Sequence, residues 1–98
     1  MATFISTIIF TAQGLQGIDE TTKRAAALKA AAKKRGVKIT NIFWTLGDHD
    51  GVLIFEAADD ETAAAFLLHV TSLGNVQTST VRAFTAAEMD AILVKANG

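Results

Sequence analysis

The sequence contains no cysteine, no proline and no tyrosine, and it has a single tryptophan. Without cysteine the chain cannot form a disulfide, a thiolate zinc site or a thiol nucleophile. No apolar run reaches the roughly 20 residues that cross a bilayer. No basic residue precedes the first apolar segment, residues 4–10, so we expect neither a secretory signal nor a membrane partner. These absences predict a cytoplasmic protein.

What remains is a short, apolar chain that we predict to be a single domain, residues 1–98. Hydrophobic residues make up 50% of it, which is high for a small protein whose large relative surface should demand polar side chains. The excess favours a second buried surface, most simply a subunit interface. The formal net charge is −1, and the third predicted strand lacks the aromatic signature of RNA-binding sheets, so no nucleic acid partner is expected.

The pattern of apolar residues predicts four strands and three helices. The strands are predicted over residues 3–11, 38–46, 51–57 and 76–84, and the first two helices over residues 21–35 and 60–73. Residues 12–20 are predicted to form a loop. The last helix follows a capping box made by Thr85 and Glu88, and its predicted inner face carries Met89, Ile92 and Leu93.

This element order predicts a ferredoxin-like α+β fold, βαββαβ with a C-terminal helix. The expected antiparallel sheet has the strand order 4-1-3-2, with both central helices on one face. The second strand is apolar on two sides, because Ile42, Trp44 and Leu46 alternate with Ile39 and Phe43. The other sheet face therefore needs a cover, and a second copy packed against it would close a dimeric α+β barrel. We expect a homodimer or an assembly of dimers.

Five segments of the sequence resemble the GYD-domain family of small bacterial proteins: TAQG (11–14), KRAAALKAAAKKRGVKI (23–39), WTLGDHD (44–50), FEAADDETA (55–63) and LGNVQTSTVRAFTAAEM (73–89). The resemblance runs through nearly the whole chain. It implies the dimeric α+β barrel fold and no established activity. The Gly-Tyr-Asp motif of that family falls at the central turn, where Gly47 and Asp50 match and His49 stands at the expected tyrosine position.

The central turn is the first candidate site, because it places Asp48, His49 and Asp50 in succession. His49 and Asp50 could form an acid–base pair or line a pocket. Adjacent residues rarely aim three side chains at one point, so no metal site is predicted. The alternative is structural: Gly47 adopts the special turn dihedral, Asp50 hydrogen-bonds the turn backbone, and His49 is a polar edge residue.

Two further side chains are candidates for ligand binding. Trp44 could line a cavity at the mouth of the barrel with Ile42 and Leu46, or it could pack in the core or an interface. Arg82 on the fourth strand could stabilise an anion, or it could form a structural pair, for which Glu56 is the nearest acid on a strand. His69 lies at the margin of the second helix's apolar stripe, where a lone histidine is usually an edge residue.

Three functional hypotheses follow. The first is a homo-oligomeric domain that binds a small apolar or aromatic ligand in the barrel cavity through Trp44, His49 and Arg82, without a cofactor. The second is a non-catalytic assembly module. The third is a cofactor-free enzyme resembling a monooxygenase or isomerase, in which His49 is the acid or base, Asp50 orients it, and Arg82 stabilises an oxyanion.

Overall fold

The computed structural model describes residues 1–98 and confirms the predicted order of strands and helices, with one helix more than expected. The elements are β1 (Ala2–Phe10), α1 (Ala12–Gln16), a 3-10 turn (Ile18–Glu20), α2 (Thr21–Lys34), β2 (Lys38–Trp44), β3 (Gly51–Ala57), α3 (Asp60–Ser72), β4 (Val76–Ala83) and α4 (Ala86–Asn97). The four strands form one antiparallel sheet in the order β2-β3-β1-β4, which is the predicted ferredoxin-like order.

The core lies between one sheet face and the helices α2 and α3. On the sheet, Phe4 stacks on Phe55 with ring centroids 5.3 Å apart, and Phe66 of α3 meets Phe55 edge-on at the same centroid distance. Helix α2 contributes Ala32, which is fully buried. A side chain this small lets the α2 backbone approach the sheet closely. The buried hydroxyl of Ser6 accepts a hydrogen bond from Thr80 Oγ1 at 2.8 Å, so this polar group is satisfied.

A β-bulge in β2 changes which side of the sheet its residues face. Ile39 pairs with Phe55 and Asn41 pairs with Ile54, so Thr40 is an extra residue without a partner in the register. Because one extra residue reverses the alternation, Ile39 shares the helix-facing side with Ile42 and Trp44. The prediction that Ile39 lies on the same side as Phe43 is therefore wrong.

The predicted loop over residues 12–20 is instead the short helix α1 followed by the 3-10 turn. Thr11 caps α1, because its Oγ1 accepts a hydrogen bond from the backbone N–H of Gly14 at 3.1 Å. The two glycines of this segment suggested a loop. Gly14 is needed for a different reason, since a Cβ there would lie only 2.1 Å from the backbone oxygen of Asn75.

The sheet face opposite the helices has no covering layer within one chain. Phe43, Val81 and Ile9 on that face are 53%, 60% and 42% exposed. Helix α4 begins at the predicted capping box of Thr85 and Glu88, but it contains no buried residue, so its predicted inner face is not covered by this chain. No helix of the structure has the length and apolar character needed to cross a membrane.

Candidate functional site

An apolar cleft of about 340 Å³ opens on the helix-facing side of the sheet, between α2 and α3. Its apolar walls include Ile8 and Phe10 of β1, Ala25, Ala27, Leu28 and Ala31 of α2, Ile42 and Trp44 of β2, Leu53 of β3, Val70 and Leu73 of α3, and Val76 of β4. The space exists because α2 presents alanines towards the sheet here, and alanine has no atoms beyond Cβ to fill the gap. The cleft lies where β1 ends and β3 begins.

Trp44 forms part of the cleft wall and is held in place by α2. Its indole N–H donates a hydrogen bond to Thr21 Oγ1 at 3.0 Å, and 46% of its surface is exposed. Ile42 lines the same cleft, whereas Leu46 is fully exposed in the turn and does not line it. The cleft beside Trp44 is thus lined by the sheet and helices of one chain, not by two facing sheets.

Asp50 connects the central turn to the end of β1. Its carboxylate Oδ2 accepts a hydrogen bond from the backbone N–H of Phe10 at 2.8 Å, and its own N–H donates to the oxygen of Ile8 at 2.8 Å. Asp50 therefore continues the β1–β3 ladder one step beyond Gly51 and satisfies an N–H that would otherwise have no partner. The predicted bond to the turn's own backbone is instead a bond to β1. Asp50 also lines the cleft.

The other two polar side chains of the turn, Asp48 and His49, do not contribute to the cleft. Gly47 has φ +113°, as predicted for the turn. His49 and Asp48 are exposed, their side chains make no hydrogen bond within the chain, and neither lines the cleft. The backbone oxygen of His49 accepts a hydrogen bond from Thr45 Oγ1 at 2.7 Å. His49 and Asp50 are neighbours in the turn, but only Asp50 faces the cleft.

Arg82 lies at the opposite end of the sheet and does not join the other candidates. It is opposite Phe4 in the β1–β4 register, whereas the cleft is near Ile8, four residues and roughly 13 Å further along β1. Its Nη2 donates to Glu88 Oε2 at 3.0 Å, and its guanidinium stacks 4.6 Å from the Phe84 ring centroid. The acid that pairs with Arg82 is thus Glu88 of α4, not Glu56. The catalytic set of His49, Asp50 and Arg82 is not brought together.

The segments TAQG (11–14) and LGN (73–75) meet at one end of the cleft. The N–H of Thr11 donates to the oxygen of Asn75 at 3.0 Å, and Thr11 Oγ1 donates to the oxygen of Gly74 at 2.5 Å. The side-chain amide of Gln13 donates to the oxygen of Leu73 at 2.9 Å. This contact fixes the start of α1 against the end of α3, and so it sets the position of both residues of LGN that line the cleft, Leu73 and Asn75.

Arg24 is a cleft residue that the sequence reasoning missed. Its Nη2 donates to the oxygen of Gly14 at 3.0 Å and its Nη1 to Asn75 Oδ1 at 3.4 Å. The sequence does contain a signal for it: Arg24 stands four residues before Leu28, so it falls on the apolar stripe of α2. His69, predicted to be an edge residue, also lines the cleft, from α3.

Two carboxyl groups outside the cleft have perturbed acidity. The hydrogen bond from the backbone N–H of Thr85, with that from the Arg82 guanidinium, lowers the pKa of Glu88 below its ordinary value. Hydrogen bonds from Thr62 likewise lower the pKa of Asp59, the N-cap of α3. Both groups stabilise helix starts, and neither lines the cleft. No three His, Asp or Glu side chains converge to hold a metal ion.

Comparison with solved structures supports the fold. FFRP-DM1 superposes with a TM-score of 0.63 at 17% identity, covering 86% of this chain and 100% of the other. TTHA0845 from Thermus thermophilus superposes with a TM-score of 0.58 at 23% identity, covering 88% of this chain and 96% of the other. At these identities the likeness concerns the fold alone.

Comparison of sequences identifies the family. A protein of Thermus thermophilus, named glutamine synthetase and cystathionine beta-lyase binding protein, is 31% identical over 94 residues. The match covers 95% of this chain and 99% of that relative. The model of the GYD domain matches residues 4–93. The chain therefore belongs to the GYD-domain family.

Proposed function

We propose that this protein is a non-catalytic binding protein that holds a small apolar or aromatic molecule in the cleft between α2, α3 and the sheet. The observation that carries the proposal is the cleft itself. Its volume of about 340 Å³ lies within the range of small-molecule sites, roughly 300–1,000 Å³, and thirteen of its nineteen lining residues are hydrophobic. The cleft has few polar groups, as expected for a site that binds its ligand by burying apolar surface.

The expected affinity of an apolar ligand is modest. An aromatic ring system buries roughly 150–250 Å². At about 25 cal/mol per Å², that burial contributes roughly 4–6 kcal/mol before the cost of immobilising the ligand. Because that cost must be subtracted, apolar contact alone gives dissociation constants no tighter than about tens of micromolar. Tighter binding requires a polar contact in addition.

The test uses Trp44, the only tryptophan, as a reporter inside the cleft wall. We expect the neutral probe N-phenyl-1-naphthylamine to quench Trp44 emission and to gain fluorescence itself on binding. Ala31→Phe, which fills the cleft from α2, should weaken binding of the probe about tenfold or more. The matched control is Ala30→Phe on the same helix, since Ala30 does not line the cleft. Equal binding by both variants would contradict the proposal.

We also propose that the protein forms a homo-oligomer whose subunits contact each other through the uncovered sheet face. The accessible surface of one chain is 6363 Å², whereas a folded monomer of this mass exposes about 5,400 Å². The excess of roughly 1,000 Å², to which the uncovered helix α4 also contributes, is close to the 800 Å² per partner that a standard interface buries. A second copy packed on this face is the partner that its exposed apolar side chains, among them Ile9, Phe43 and Val81, support.

The oligomer has its own test. Phe43→Asp places a charge on the uncovered face and should reduce the mass measured by light scattering from that of a dimer or dimer assembly to that of one chain. Asp48→Ala, in the exposed turn, is the control. Single chains of the wild type at micromolar concentration would contradict the oligomer but leave the cleft proposal standing, because one chain forms the whole cleft.

A second candidate function is association with enzymes. The relative from Thermus thermophilus is named as a binding protein for glutamine synthetase and cystathionine beta-lyase. Helix α4 exposes Met89, Leu93 and Val94 at 45%, 46% and 73%, a surface free for such a partner. The test is a titration of each purified enzyme of the same source with the wild type and with Leu93→Asp. Binding that is lost in the variant would support this function.

A further inference from the structure

We infer that the ligand of the cleft is a singly charged anion, an apolar or aromatic carboxylic acid whose carboxylate binds Arg24. This inference rests on the proposed function and adds the ligand's charge to it. Arg24 is partly buried and lines the cleft beside its apolar walls. The ring of such a ligand would lie between Trp44 and the alanines of α2, and its carboxylate would lie at the guanidinium. The ligand would thus contact both the apolar walls and the positive charge of the cleft.

The hydrogen bonds of Arg24 leave most of its donors free. A guanidinium has five N–H donors, and in this chain it uses two, one to the oxygen of Gly14 and one to Asn75 Oδ1. Both acceptors are neutral. No carboxylate lies within ion-pair distance of Arg24, because the ion pairs of the chain are Lys23 with Glu20 and Arg82 with Glu88. The guanidinium of Arg24 therefore makes no ion pair within the chain, although the carboxylate of Asp50 also lines the cleft.

The two existing bonds also hold the guanidinium in a defined position. Gly14 and Asn75 belong to the contact between the TAQG and LGN segments, so the charge is fixed by the backbone of two elements. A cation that is already ordered loses little side-chain entropy when a ligand arrives. Its planar fork of donors matches the two oxygens of a carboxylate.

The other polar groups of the cleft restrict the ligand further. The indole N–H of Trp44 is used by Thr21, and Oδ2 of Asp50 is used by the N–H of Phe10. The imidazole of His69 makes no hydrogen bond within the chain and can donate to a ligand from α3. The negative charge of Asp50, which lines the same cleft, repels anionic ligands, and it repels a dianion more than a monoanion. These groups together favour a monoanion over a dianion.

The test is displacement of bound N-phenyl-1-naphthylamine near neutral pH by three molecules with one ring system: 2-naphthoate, 2-naphthalenemethanol and 2-naphthylmethylammonium. We expect 2-naphthoate to bind about tenfold more tightly than the alcohol, the advantage that a hydrogen bond to a charged group provides. The ammonium compound should bind most weakly. Equal affinity of the acid and the alcohol, or preference for the ammonium compound, would overturn the inference.

Two variants test whether Arg24 is the residue that produces the preference for the acid. Arg24→Met keeps the length of the side chain and should remove the difference between acid and alcohol, whereas Lys29→Met, which removes an exposed charge from the same helix, should preserve it. An unchanged preference in Arg24→Met contradicts the inference. If Arg24→Met does not fold, the question is still decided by Arg24→Lys and by the relative affinities of the acid, the alcohol and the ammonium compound for the wild type. Displacement by all three molecules alike leaves the proposed cleft function intact, whereas failure of the neutral probe to bind, or its equal binding by Ala31→Phe and Ala30→Phe, contradicts that function.

Discussion

Replacement of Asp50 by alanine tests whether the aspartate of the turn is a structural residue. The bond between Asp50 Oδ2 and the N–H of Phe10, at 2.8 Å, is partly buried and is the only one that this N–H makes with a side chain. Its loss leaves a donor without an acceptor, at a cost of roughly 1–3 kcal/mol. For a domain of this size, 1 kcal/mol shifts the Tm by about 4–8 °C. We therefore expect Asp50→Ala to lower the Tm by about 10 °C.

The assay is thermal unfolding followed by circular dichroism at one fixed protein concentration, since association would make the Tm depend on concentration. Asp50→Asn keeps an oxygen acceptor and loses the charge, so its Tm should fall between those of the wild type and Asp50→Ala. Asp48→Ala is the matched control, because Asp48 is exposed in the same turn and makes no side-chain hydrogen bond. If Asp50→Ala and Asp48→Ala unfold at the same temperature, the structural role assigned to Asp50 is refuted.

Two further predictions concern the contacts around the cleft and α4. Gly14→Ala should destabilise the fold by roughly 1–3 kcal/mol in chemical unfolding, because the new Cβ would lie 2.1 Å from the Asn75 oxygen. Gly17→Ala should cost less, because its Cβ would approach a side-chain atom, Nη1 of Arg24, at 3.1 Å and no backbone atom nearer than 4.0 Å; the reverse order would contradict this packing. Hydrogen bonds from Thr85 and Arg82 lower the pKa of Glu88 in the folded protein below its ordinary value of about 4.5. The contribution of Glu88 to stability is therefore fully present above that ordinary value and is lost as the pH falls through the lowered, folded-state pKa. When Tm is measured against pH, Glu88→Gln should therefore reduce the fall in Tm at acidic pH, and Asp90→Asn should not reduce it.

The fold was predictable because its determinants are local and repeated. β1 and β3 are apolar on both faces, which is typical of central strands, and the short turn at Gly47 requires β2 and β3 to be antiparallel neighbours. The bulge at Thr40 could not be predicted, because both sides of β2 are apolar and the sequence pattern does not distinguish two registers. Helix α1 differs from the predicted loop because Gly14, which is typical of a loop in sequence, is required by the close approach of Asn75, a residue distant in sequence.

The site was predicted less completely than the fold. Trp44, Ile42 and Asp50 do line the cleft, but the contribution of Arg24 and His69 depends on how α2 and α3 are placed over the sheet. Arg82 was assigned to a possible anion site because only acids on strands were considered as partners. Its partner Glu88 lies on α4, six residues further along the chain, where the capping box already holds the carboxylate in place.

The most direct measurement of the central claim is chemical-shift mapping of the uniformly labelled protein during titration with 2-naphthoate. Trp44 supplies one indole N–H resonance, which must shift because this group lies in the cleft wall. We predict that the largest backbone shifts fall on α2 between Thr21 and Ala31 and on α3 near Val70. Shifts confined to the uncovered sheet face at Ile9 and Val81, or no shift at saturating ligand, would contradict the claim that this cleft binds small molecules.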